Sequence, residues 1–409
     1  MKVEVLTIGD EILSGNITDT NFAWLGEFLW SRGFELHWHT SVGDEPDEIS
    51  RALLAAVGRS QAVIVTGGLG PTIDDMTVEV AAKAFGLPLV LNAGVLQEIL
   101  DRFKKIGREM TPNNEKQAFF PEGAGVLPNT YGTAPGCYVV YQKTHFFFLP
   151  GVPREMKQQF EEAVFPTLAG MVPEKTCFAQ KILRCFGAPE ATIGQSLEGI
   201  DLQGADLAYR ISFPEILLKI SARGGNSPEI EARVDKIVQE IRNRLGDIVY
   251  GEGDEGLAGV VGRLLKGKRA TLSVAESCTG GRLASLLTDE PGSSEYFDRG
   301  VVTYSNQSKM DILHVPSSLL ETFGAVSAET AVAMAKGMRK ISQTTYSLAV
   351  TGIAGPGGAT PHKPVGTVHM ALDSNEGTTT HEFHFPTHRE WFKLIASFAA
   401  LDLLRKKLL

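Results

Sequence analysis

Three potential nucleophiles stand in a row at Ser277-Cys278-Thr279, preceded by Glu276 and followed by Gly280 and Gly281. They fall where a strand-like run, 270–274, gives way to a helix. There the helix dipole and unbonded N–H groups stabilise developing negative charge. The spacing is not the GxSxG elbow of hydrolases. Ser277 needs a base such as a desolvated lysine. Lys309, in Tyr304-Ser305-Asn306-Gln307-Ser308-Lys309 after the next predicted strand, could reach the same edge. Cys278 would want a histidine, and His314, His362, His369 and His388 are available but sit in no recognisable motif. A buried cysteine usually packs inertly. Thr279 reads as an N-cap. A further turn, Thr351-Gly352-Ile353-Ala354-Gly355-Pro356-Gly357-Gly358, could offer an oxyanion hole.

A second group lies near the front of the chain. Thr66-Gly67-Gly68-Leu69-Gly70-Pro71-Thr72-Ile73-Asp74-Asp75 joins a strand to a helix. It is neither a P-loop nor a GxGxxG fingerprint. Capping by Thr72 with Asp75 three residues on accounts for those two. It does not account for Gly67, Gly68 and Gly70 together, which favours a turn built around an anion. Asp10 and Glu11 follow the first strand, with Asp19 and Asn21 close behind. Carboxylates from adjacent strand ends could hold a hard divalent cation and bridge it to phosphate; the plainer alternative is solvated loop charges. The turns at Pro135-Gly136 and 149–156 should face the same edge.

These residues need elements to hold them. Residues 1–170 alternate strand-like and helix-like segments, expected to give a parallel sheet with helices on both faces. Residues 171–250 follow a βαββα order, a small α+β module. Residues 251–409 return to α/β alternation and end in a long helix, 389–407. The expected fold is α/β: two doubly wound domains around one small module. The 409 residues fit two to three domains of about 150 each. A net charge of −9 with 43% hydrophobic residues supports several cores and disfavours direct nucleic-acid binding. No apolar run approaches the ~18 residues of a membrane span. The four dispersed cysteines suit reduced thiols in a cytoplasmic protein. Glycine, 43 of 409, exceeds the ~7% average, which implies many turns with positive φ or close backbone approach.

GDEILSGNITDTN, TGGLGPTIDD, NNEKQAFFPEGAGVLPNTYGTAPG and LPGVPREM resemble the molybdopterin-binding-type domain at the front of the CinA (competence/damage-inducible) family. AESCTGG, GVVTYSN with Lys309, GAVS, VTGIAGPGG and KPVGTVH resemble that family's C-terminal, PncC-type amidohydrolase domain. Residues 174–247 resemble its KH-type module, without a GXXG clamp, so RNA binding is not inferred. The resemblance implies a metal-dependent ADP-ribose pyrophosphatase in the first domain. Asp75, Glu11, Asp19 and Glu155 would be ligands to Mg²⁺ or Co²⁺. Gly67, Gly68, Gly70, Thr72, Asn113, Lys116, Asp10 and Asn21 would be substrate contacts. For the last domain it implies cofactor-free deamidation of nicotinamide mononucleotide by Ser277, Lys309 and Tyr304. Substrate contacts there would be Glu276, Thr279, Gly280, Gly281, Asn306, Thr351, Gly352 and Arg389. One departure stands out: relatives often read Gly-Asp-Arg where this chain has Thr387-His388-Arg389. A homodimer is the family-level expectation. The alternative reading is a molybdopterin-binding protein, or a competence or DNA-repair interaction protein with a non-catalytic first domain.

Overall fold

The computed structural model describes residues 1–172 and 177–409. It comprises two compact units: Met1–Ala179 with Arg223–Ile230, and Gln180–Ala222 with Glu231–Leu409.

The first unit carries strands β1 (Lys2–Ile8), β2 (Glu35–Val42), β3 (Ala62–Thr66), β4 (Leu89–Leu91), β5 (Phe119–Pro121), β6 (Gly125–Leu127), β7 (Gly136–Tyr141) and β8 (Thr144–Leu149). One sheet runs β2-β1-β3-β8-β7-β6, and β4 pairs separately with β5. Ala62, Val63, Ile64 and Val65 of β3 have no solvent exposure, as a central strand covered on both faces requires. Leu6, Ile8, Val63 and Val65 join the core on one face, and Val3, Val5 and Ile64 join that on the other. The expected parallel sheet holds for β2, β1, β3 and β8 and fails beyond them. β7 and β6 run antiparallel. The reason is chain length: only Gln142-Lys143, both at positive φ, separate β7 from β8. A crossover between parallel strands needs a dozen or more residues.

The small module holds β9 (Cys177–Cys185), β10 (Asp206–Ser212), β11 (Glu215–Gly224) and β12 (Val249–Glu252), in the order β10-β11-β9-β12. Helices Glu190–Ser196 and Ser227–Leu245 complete the expected βαββα order, with β12 as an added strand. The expected start of the module, residues 171–176 including Glu174, lies partly outside the described residues. Arg184 and Tyr250 both hold the Glu215 carboxylate, Arg184 at 2.9 Å.

The last α/β domain is built on β13 (Leu272–Glu276), β14 (Phe297–Val302), β15 (Tyr346–Gly352), β16 (Thr367–Ser374) and β17 (Gly377–His384). Their order is β14-β13-β15-β16-β17. The first three are parallel and the last two antiparallel, so this sheet is also mixed. Leu272, Val274, Leu348 and Val350 pack against Phe392 and Leu401 of helix Arg389–Leu408. On the other face Ala275, Ala349 and Ala371 meet Met334, Ala335 and Met338 of helix Ala328–Ser342. Alanines on that face allow the helix close approach. Helices Asn306–Leu313 and Ser317–Phe323 precede it, so all three follow β14. The architecture is α/β: two doubly wound domains with a small KH-like module between them in sequence. Among the described residues, no helix is long and apolar enough to cross a membrane.

Candidate active site

Ligands of open α/β sheets bind outside the carboxyl ends of the parallel strands. In the last domain Ser277 follows β13 directly, held by its own amide, which donates to the Val350 carbonyl of β15 at 2.9 Å. Lys309 comes from helix Asn306–Leu313 after β14. The Ser305–Ser308 capping box fixes where that helix starts, and so which face Lys309 presents. Its Nζ lies 3.1 Å from Ser277 Oγ, 2.8 Å from the Thr303 carbonyl oxygen and 3.4 Å from that of Tyr304. Lys309 is fully buried and Ser277 is 8% exposed. Burial holds the Lys309 amine below the ordinary lysine value, because desolvation disfavours the charged form. Two carbonyls can take the two N–H bonds of a neutral amine. The lone pair is then free for the Ser277 proton.

The neighbouring residues divide into those brought to this pair and those turned away. Glu276 is buried, and its carboxylate accepts the amides of Gly281 (2.9 Å), Leu283 (3.1 Å) and Ala284 (2.8 Å). It caps helix Arg282–Thr288, so the expected substrate contact is corrected: both oxygens are engaged. The N-cap role expected of Thr279 passes to Glu276, while the fully buried Thr279 Oγ1 has no partner. Gly280 and Gly281 both adopt left-handed φ, 58° and 91°, which folds the helix start back over Glu276. Gly280 N–H donates to the Ser277 carbonyl at 3.2 Å, so the amide of this expected substrate contact is already engaged. Among the described residues the Cys278 and Thr279 amides have no oxygen acceptor and lie against the Cys278 thiol, and they are the donors nearest the serine in the chain. The first N–H after a nucleophile serves this role in other strand-to-helix turns.

Cys278 is 5% exposed, and burial, with the Glu276 charge adding to it, pushes its thiol up to about 12. It hydrogen-bonds to none of the four candidate histidines. Thr351 is fully buried with its hydroxyl engaged, donating to the Ala325 carbonyl at 2.7 Å, on the face of the sheet that Leu313 of the Lys309 helix also covers. A Cβ on Gly352 would stand 2.7 Å from the Thr367 carbonyl oxygen, so that glycine answers to the β15–β16 contact. The following turn supplies a carbonyl: Arg389 donates to Gly355 O at 2.8 Å and to the Tyr304 hydroxyl at 2.9 Å. Tyr304 is 60% exposed, and its backbone carbonyl is what accepts from Lys309. Asn306 is exposed beside it. Sequence reasoning missed Lys393, whose Nζ would stand 3.3 Å from a Cβ on Gly280. Its spacing of four from Arg389 was the available signal.

In the first unit, the turn after β3 does gather expected residues. Asn113 Nδ2 donates to the Pro71 carbonyl at 3.1 Å and Lys116 Nζ to that of Thr72. A cavity of about 280 Å³ is lined by Gly68, Gly70, Asp75, Lys116, Gln117 and Phe119. The glycines have a packing cause of their own: a Cβ on Gly67 would meet the Ile8 carbonyl oxygen at 2.1 Å, and one on Gly68 the Thr77 hydroxyl at 2.1 Å. Thr72 is not an N-cap, for the helix is Thr77–Phe85, and the Thr72 amide and hydroxyl donate to Asp75 at 2.8 and 2.6 Å.

The four expected metal ligands do not converge. Asp75 is engaged by Thr72, and Glu155 accepts from Asn129 at 2.6 Å. Asp19 caps helix Thr20–Trp30 through the Phe22 amide at 2.8 Å and accepts from Thr7 at 2.7 Å. Burial works to raise the Asp19 carboxyl, but hydrogen bonds from His39, Phe22 and Thr7 outweigh it and hold it low. Among the described residues no group of three or more His, Cys, Asp and Glu side chains is placed to hold a metal ion. Glu11 keeps other company. Asp10 and Asp44 exchange amide-to-carboxylate hydrogen bonds, at 3.0 and 3.1 Å. Burial raises the Asp44 carboxyl, and the Asp10, Glu11 and Asp74 charges add to it, against the Asp10 amide. Asn21 ties to the Gly151 carbonyl at 2.8 Å. The residues present thus do not fit a bound ion in this arrangement.

Residues 4–170 match the family profile "Probable molybdopterin binding domain", 180–251 "Damage-inducible protein CinA KH domain", and 254–408 "CinA C-terminal domain". A CinA-like protein of Geotalea uraniireducens is 43% identical over 100% of this chain and 98% of its own length. One from Geobacter sulfurreducens is 42% identical over 100% of both. Among solved structures, the competence/damage inducible protein CihA of Agrobacterium tumefaciens is 43% identical, covering 38% of this chain and 94% of its own, with a TM-score of 0.37. With full-length relatives above 40% identity and all three domain profiles in order, this chain belongs to the CinA family.

Proposed function

We propose that the last domain hydrolyses the carboxamide of nicotinamide mononucleotide to nicotinic acid mononucleotide and ammonia. The observation that carries this is the buried Lys309 amine 3.1 Å from Ser277 Oγ. Ser277 Oγ attacks the carboxamide carbon as its proton passes to Lys309 Nζ. The tetrahedral oxygen faces the Cys278 and Thr279 amides. Lys309 returns the proton to the leaving nitrogen, the C–N bond breaks, and ammonia departs, leaving an ester on Ser277. Water then attacks, its proton passing to Lys309. The ester C–O bond breaks, Ser277 recovers a proton, and the carboxylate product leaves. No cofactor enters these steps. Arg389, held by Tyr304 and Gly355, supports recognition of the nucleotide phosphate.

The cavity beside Gly68, Asp75 and Lys116 favours a second reading, for the first domain: a pocket for a phosphate-bearing nucleotide or pterin, with cleavage of ADP-ribose to AMP and ribose 5-phosphate as the activity. Mg²⁺ or Co²⁺ belongs to this proposal as an added reagent, since no ligand set here carries a step. A homodimer in the cytoplasm, free of direct nucleic-acid contact, completes the proposal. The test is one screen of the full chain with nicotinamide mononucleotide and ADP-ribose, with and without divalent metal. Ammonia from the first without metal supports the deamidase. Its absence overturns it. A lack of AMP across all metals reduces the first domain to a binding module, and pterin fluorescence titration then identifies its ligand.

A further inference from the structure

Helix Arg389–Leu408 places two basic residues, Arg389 and Lys393, one turn apart near its N-terminal end. Residues four apart share one helix face, with Cβ atoms roughly 5–6 Å apart. Arg389 is anchored by Tyr304 and Gly355 at 2.9 and 2.8 Å. Lys393 is partly buried, and its ammonium lies against Gly280, three residues beyond the nucleophile. Among the described residues its ammonium has neither an ion pair nor a hydrogen bond, while its backbone carbonyl accepts from Ser397. Lys266, Lys406 and Lys363 of this domain find acceptors on Glu295, Asp402 and the Phe323 carbonyl, whereas Lys268 and Lys340, which also lack one among the described residues, are exposed to water as Lys393 is not. The carboxylate nearest in the chain to Gly280, that of Glu276, already accepts three amides. A half-buried ammonium without an acceptor loses hydration with nothing in return, unless a ligand brings the negative charge.

We propose that Lys393 is the second cation of a phosphate clamp, closing with Arg389 on a phosphate monoester. The site thereby selects a ribosyl carboxamide carrying that phosphate over the corresponding nucleoside. This rests on the deamidase reading of the Ser277 site. Phosphate as a dianion is matched by two cations better than by one, and Lys393 supplies a compact charge where Arg389 supplies a fork.

The full-length parent, Lys393→Gln and Lys393→Arg are compared on nicotinamide mononucleotide and on nicotinamide riboside, which has the same amide and no phosphate. For Lys393→Gln the clamp predicts at least a tenfold rise in KM for the mononucleotide and kcat within about threefold. It predicts unchanged kcat/KM for the riboside and substantial rescue by Lys393→Arg. Equal losses on the two compounds, or no change on the mononucleotide, overturn it. A binding arm separates this inference from the deamidase reading. Nicotinamide mononucleotide is titrated into Ser277→Ala and into Ser277→Ala/Lys393→Gln. A parent that releases no ammonia overturns the deamidase reading, while the clamp stands or falls on a tenfold difference in Kd between these two. Equal affinity overturns the clamp.

Discussion

The Lys309 amine meets the Ser277 hydroxyl at 3.1 Å inside the protein, with carbonyls of Thr303 and Tyr304 on its other sides. A lysine so placed has a reason to be neutral and a proton to receive. Lys309→Met should lower kcat for ammonia release by roughly 10²–10⁴-fold, the usual worth of a general base. Lys309→Arg should fare no better, since a guanidinium stays charged. Steady-state assays of the two variants check this; retention of more than a tenth of the parent rate by either contradicts the base role.

Burial lowers the Lys309 amine from 10.5, which fixes the sign of the pH dependence. Below its folded value the amine is protonated and cannot accept from Ser277. kcat/KM should therefore climb about tenfold per pH unit on the acid side and level off before 10.5. The same shift affects stability. Between the folded value and 10.5 only the unfolded chain binds this proton, so its contribution to stability rises with pH across that window. A rate profile still rising above the ordinary lysine value contradicts a desolvated base.

Glu276 caps a helix, so its removal should act on the fold. Glu276→Ala leaves three amides without their acceptor and should cost at least about 2 kcal/mol, given about 1–3 kcal/mol for each buried group left unpaired. Glu276→Gln keeps one carbonyl oxygen and should lose less. Melting curves measure both. An unchanged melting temperature together with a raised KM would return Glu276 to the role of substrate contact.

Cys278 should be dispensable to the chemistry. With its thiol held near 12, almost none is thiolate at neutral pH. Cys278→Ala should keep kcat within about threefold and lose some stability from the small void. Loss of activity in this variant alone, with a native melting temperature, would favour the thiol as nucleophile.

How far the residues themselves announced this can be seen one by one. Ser277 and Lys309 were legible because each follows a predicted parallel strand, and such ends share one edge. The alternation of β15 places Thr351 as well: Val350 packs in the core with Val274, so Thr351 faces the other side, where the Ala325 carbonyl takes its hydroxyl. Glu276 was misread because its direction depends on the left-handed turn at Gly280-Gly281, a conformation set by tertiary fit. The four expected metal ligands stand apart in this arrangement for a similar reason. Asp19 meets Thr7 and His39 only once β1 and β2 pair in register, with Leu6 opposite Thr40. The mixed sheets were partly foreseeable, since two residues between β7 and β8 permit only a hairpin.

The central claim is that Ser277 is the nucleophile of an amide hydrolysis. Ammonia release from nicotinamide mononucleotide, by the full-length parent and by Ser277→Ala side by side, tests it most directly. The pair predicts metal-independent turnover by the parent and a loss of at least about 10³-fold in the variant. Ammonia released by Ser277→Ala at the parent rate contradicts it.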